Sequence, residues 1–124
     1  MIRRAALLDR LARKRQADRM QQARKVSLAL EALSRTEAQL GALQDIIPSL
    51  DAAAPVPPGA LQAKHKLSLV IVEQIDEARQ LQDQQRLSLD QARADLAQAE
   101  LRARLTKDRA QIAKSDQAIT DLGT

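Results

Sequence analysis

The single histidine, His65, stands between Lys64 and Lys66. Imidazole can serve as a general base or a metal ligand, but either role needs partners held beside it. Two flanking ammonium groups suit a solvated surface residue instead. The chain has no cysteine, which removes disulfides, thiolate nucleophiles and thiolate metal sites and suits a reducing compartment. Its 16 carboxylates are spread at helical intervals among lysines and arginines, the pattern of a solvated face. Glycine occurs three times and never as a cluster able to cradle phosphate. These residue types predict no catalysis, no metal and no cofactor. They point to a protein that works by binding.

The cations carry the stronger signal. Residues 1–25 hold nine basic side chains against Asp9 and Asp18, a net of +7, whereas residues 26–100 carry six basic and eleven acidic ones, a net of −5. Such a patch speeds encounter with an acidic protein surface more than it adds affinity. Nucleic acid is the weaker expectation, because the chain has no aromatic residue on which bases could stack.

The elements that must present these charges follow from composition. With 44% hydrophobic residues and 0% aromatic, a thick core would lack the side chains that bury most area. Alanine, leucine, glutamine and arginine favour helix. Up to Ile47 there is no proline and one glycine, Gly41. Apolar residues recur there in three- and four-residue steps at Met20, Ala23, Val26, Leu30, Leu33, Leu40, Leu43 and Ile47. The stripe passes through Glu37 and reads as a drifting, imperfect heptad. All four prolines lie between Pro48 and Gly59, where a continuous helix should break, although Leu50 falls in register and the first turn could still be a kinked extension of helix 1. From Ala60 to Leu122 there is neither glycine nor proline, and the stripe reads Leu67, Ile71, Ile75, Ala78, Leu81, Leu89, Ala92, Leu96 and Ala99. After Leu101 its register moves to Leu105, Ile112, Ile119 and Leu122.

The expected fold is all-α: one antiparallel coiled-coil hairpin over residues 1–124, with helices at about 2–47 and 60–122 and a proline-rich loop at 48–59. Folding at the loop centre places Leu40 near Leu67, Val26 near Leu81 and Leu8 near Ala99, and leaves the end of the second helix without a partner. Apolar residues surround the helix at Leu67, Leu69, Val70, Ile71 and Val72. They form either a docking surface or a face covered by Leu50, Ala53 and Val56. No apolar run approaches the roughly 20 residues that span a bilayer, and the opening run Ala5–Leu8 is too short for a signal peptide. A soluble, cytoplasmic protein without membrane insertion is expected, a monomer or weak homo-oligomer.

The basic start (Met1-Ile2-Arg3-Arg4, then Arg10 to Arg15), the glutamine-, arginine-, alanine- and leucine-rich helices, the proline-rich loop and the basic stretch Leu101–Arg109 together resemble the FliJ/YscO family. These are the small stalk proteins of type III secretion. The resemblance is architectural and spans nearly the whole chain. It implies a non-enzymatic stalk of a flagellar or injectisome system, associated peripherally with a membrane-embedded export apparatus. It implies that Arg3, Arg4, Arg10, Arg13, Lys14, Arg102, Arg104 and Lys107 face acidic loops of an export ATPase ring. It further implies that the tip at Leu67–Val72 meets the export gate or substrate chaperones. The alternatives read from the residues themselves are a generic coiled-coil adaptor or dimerisation module and, more weakly, a basic nucleic-acid-associated helical protein.

Overall fold

The computed structural model describes residues 2–51 and 57–123. It contains two long helices in contact with one another and, among the described residues, no strand. Helix α1 runs Ile2–Asp51 and helix α2 runs Pro58–Leu122.

Both inner boundaries differ from the expected loop of 48–59, for local reasons. Helix α1 continues through Pro48, although proline supplies no donor to the preceding turn. Ile47 and Leu50, on either side of it, pack on the core formed by Leu40, Ile71, Ile75 and Ala78, and that burial offsets the lost hydrogen bond. Helix α2 begins two residues before Ala60 because Pro58 occupies a first-turn position, where a missing N–H costs nothing. The Pro57 carbonyl accepts from the N–H groups of Ala60 at 3.0 Å and Leu61 at 3.1 Å, fixing the start of the helix.

By contact the chain divides into two units: a terminal unit, Met1–Leu28 with Asp90–Thr124, and a hinge unit, Ala29–Leu89. In each, a stretch of α1 lies antiparallel to a stretch of α2. The seam is a regular heptad rather than a drifting one. In the hinge unit the shielded positions of α1 are Ala29, Leu33, Thr36, Leu40, Leu43, Ile47 and Leu50, in alternating four- and three-residue steps. On α2 they are Lys64, Ser68, Ile71, Ile75, Ala78, Gln82, Gln85 and Leu89. This seam holds the large aliphatic side chains, and its hydroxyls are satisfied within their own helices. The Thr36 Oγ1 donates to the Ala32 carbonyl at 3.2 Å and the Ser68 Oγ to that of Lys64 at 3.0 Å.

In the terminal unit the same heptads continue with smaller and more polar residues. The α1 positions are Ala5, Leu8, Ala12, Arg15, Arg19, Gln22 and Val26. Those of α2 are Ala92, Leu96, Ala99, Ala103, Thr106, Ala110, Ala113 and Gln117. Several residues expected in the seam therefore point outward. Met20 is 59% exposed, and Ala23, Leu30, Leu67 and Leu81 are exposed as well. Arg19 and Gln22 take the places that Met20 and Ala23 were expected to fill.

The pairing register also differs from that of folding at the loop centre. Leu40 clusters with Ile71, Ile75 and Ala78 rather than facing Leu67. Leu8 shares a groove with Ile112 and Ala113, and it is Arg15, Asp18 and Gln22 that lie with Ala99. The observed register buries the largest seam residues of both helices together, and this outweighs symmetry about the connection. As a result the end of α2 is not an unpartnered overhang: Gln117 and Thr120 line the groove that also contains Arg4, Ala5 and Leu8.

Gly41 lies inside α1, and a Cβ built there would meet nothing within 4 Å. Glycine in a helix interior costs about 0.5–1 kcal/mol relative to alanine. Gly41→Ala is expected to raise stability by that amount, measured as a higher denaturation midpoint by circular dichroism.

Candidate partner-binding surfaces

The terminal unit concentrates positive charge. Residues 1–28 contribute nine basic and two acidic side chains, and residues 90–124 six of each, so the unit carries +7. The hinge unit, with five basic and eight acidic residues, carries −3. The stretch of α2 opposite the basic arm therefore contributes no net neutralisation.

The eight basic residues expected at a partner surface all fall within the terminal unit, and all are exposed. Arg3, Arg10, Arg13 and Lys14 occupy heptad positions turned away from the seam of α1. Among the described residues none of these four forms an ion pair. Arg4 and Arg109 flank the groove of about 610 Å³ that contains Ala5, Leu8, Ile112 and Ala113. Arg102 borders a smaller one of about 200 Å³ with Arg15, Asp18, Gln22, Asp95, Gln98 and Ala99. Asp9 pairs with the Lys114 Nζ at 3.1 Å, but the lysine side chain is 59% exposed, and such pairs contribute little.

Polar atoms also enter the seam. Arg19 Nε and Gln22 Oε1 in the terminal unit, and Gln85 Oε1 in the hinge unit, are buried without a hydrogen-bond partner. None of the three belongs to the apolar stripe read from the sequence. Only the strict three–four spacing from Val26 back to Leu8 could have revealed Arg19 and Gln22.

No protein-family model, curated protein or solved structure matches the chain. The surfaces must therefore be read from their own chemistry.

The expected apolar tip divides in two. Leu67, Leu69, Val70 and Val72 are exposed, whereas Ile71 is 5% exposed and belongs to the core. Ile71 is thus withdrawn from the docking surface, because the heptad turns it into the seam. Of the residues considered as a cover, Leu50 packs on that core; Ala53 and Val56 lie outside the described residues. His65 is exposed, in a shallow depression with Leu61, Gln62, Lys64, Lys66 and Ser68. No helix among the described residues is long and apolar enough to cross a membrane.

Proposed function

We propose that this chain is a non-enzymatic coiled-coil stalk of a type III protein export apparatus of the flagellar kind. In this reading it sits in the cytoplasm at a membrane-embedded complex. The terminal unit binds acidic loops of the export ATPase ring through Arg3, Arg4, Arg10, Arg13, Lys14, Arg102, Arg104 and Lys107. The exposed tip residues Leu67, Leu69, Val70 and Val72 meet the export gate or a substrate chaperone. The observation that carries the reading is the net charge of +7 on one helical-hairpin unit, with its cations on positions the seam does not use. A patch of that kind attracts an acidic surface across water and sets orientation on arrival.

Charge reversal tests it. The triple variant Arg10→Glu, Arg13→Glu, Lys14→Glu changes only exposed positions, so helicity should persist. Binding to the cognate export ATPase is expected to fall at least tenfold, measured by surface plasmon resonance at low and moderate salt. Unchanged binding by the triple variant would refute this assignment of the terminal unit.

A further inference from the structure

In the terminal unit the sizes of the side chains are inverted. Between Ala99 and Ala113 the seam of α2 holds four alanines and a threonine. The large aliphatics of the same stretch, Leu101, Leu105 and Ile112, point outward, and Ile119 and Leu122 continue them. At about 100° per residue these five fall within an arc of roughly 100°, on the side of the helix opposite the seam. Ile112 is 61% exposed and Ile119 68%. Burial against α1 alone would favour the reverse arrangement, leucine inside and alanine outside. An arc of this width, interrupted by Asp108 and Ser115, suits a second helix-binding face.

Charge selects its occupant. Arg104 lies along one edge of the arc and Arg102 and Arg109 along the other, with Lys107 beyond Arg104. Asp108 sits within the arc and Asp116 near its far end, so the half from Leu101 to Arg109 is net basic. Ile112 also borders the groove of about 610 Å³ lined by Arg4, Ala5, Leu8, Arg109 and Ala113, with Asp116, Gln117 and Thr120 towards the end of α2. A second copy would present an α2 end with six basic and six acidic side chains, no net acid to match the basic half. We propose that the outer face of α2 from Leu101 to Leu122 docks an amphipathic helix of another protein. Its aliphatic stripe covers Leu105, Ile112 and Ile119, and its flanks carry aspartate or glutamate. The proposal shares Arg102, Arg104 and Lys107 with the export-apparatus reading, but the aliphatic arc that carries it has no part in that reading, and the Arg10, Arg13 and Lys14 variant leaves the arc untouched.

The probe is a synthetic helical peptide with a leucine stripe and glutamate flanks, compared with a twin whose flanks are lysine. Fluorescence anisotropy with the full chain should show saturable binding of the acidic peptide and at least tenfold weaker binding of the lysine twin. The variant Leu105→Ser, Ile112→Ser, Ile119→Ser alters exposed positions, so its helicity should match the parent while peptide affinity falls at least tenfold. No saturation, equal affinity for both peptides, or full affinity in the triple variant overturns the proposal. So does a parent chain that sediments as a dimer and becomes monomeric in the triple variant, because the occupant is then a second copy.

Discussion

Replacing Ile75 with alanine is expected to destabilise the hinge unit by about 2–3 kcal/mol, the lower part of the range for an isoleucine removed from a packed core. Ile75 is 6% exposed and sits with Leu40, Ile71 and Ala78, against which Leu43, Ile47 and Leu50 pack. The lower part applies because a two-helix seam is open on both sides, so neighbours and water relax into the space more easily than in a closed core. The loss is nonetheless large for so small a buried surface. Domains hold only about 5–15 kcal/mol in total, and those burying little area sit at the bottom of that range. Chemical denaturation followed by circular dichroism reads the change as a lower midpoint. Leu69→Ala, at an exposed position of the same helix, serves as the comparison and should shift the midpoint by less than about 0.5 kcal/mol. Equal effects at the two positions would mean that the seam has been assigned to the wrong face.

The opposite sign is expected in the terminal unit. Arg19→Leu combined with Gln22→Leu should stabilise the chain by about 2–4 kcal/mol, since each leaves a buried polar atom without a partner at a cost of about 1–3 kcal/mol. Leucine restores aliphatic burial at two successive heptad positions. Space is available at the second, since Gln22 and Ala99 border a groove of about 200 Å³. Buried ionic or polar groups exchanged for apolar ones of similar size often stabilise in this way. A thermal melt should show a higher midpoint, and light scattering should show an unchanged mass. A midpoint that falls would mean that Arg19 and Gln22 are satisfied in solution by contacts the structure does not contain.

The two helices could be read from the sequence with ease, because helix-forming composition and the absence of proline and glycine act over tens of residues. The seam was harder. Reading apolar residues alone selected Met20, Ala23 and Leu30 on α1, whereas the helix buries Arg19, Gln22 and Ala29. The heptad is regular, but polar and small side chains occupy part of it, so hydropathy follows the seam at Val26, Leu33, Leu40, Leu43 and Ile47 and leaves it at Met20, Ala23 and Leu30. The same effect made the end of α2 look like a shift of register. Leu105, Ile112 and Ile119 are outward residues beside a seam of alanines that never moves. The extension of α1 through Pro48 depends on tertiary burial of Ile47 and Leu50, which local propensity does not contain. Of the candidate surfaces, the basic residues were legible because charge on an exposed helix needs no packing information. Ile71 stood both in the apolar stripe and at the tip, and its burial assigns it to the seam while Leu69, Val70 and Val72 stay exposed.

The unequal distribution of bulk along the seam also bears on the order in which the chain acquires its structure. The entropy lost in closing a loop grows with the length of chain enclosed, so bringing Ile47 to Ile71 costs less than bringing Leu8 to Ile112. At its seam positions the chain places most isoleucines and leucines where the enclosed segment is short and most alanines where it is long. Cheap closure and strong reward therefore coincide next to the connection. Contacts between residues far apart in sequence are made by the side chains that gain least from them. Zippering from the connection outwards is the low-barrier route for such a chain, and the distant contacts are the last to be made and the first to be released.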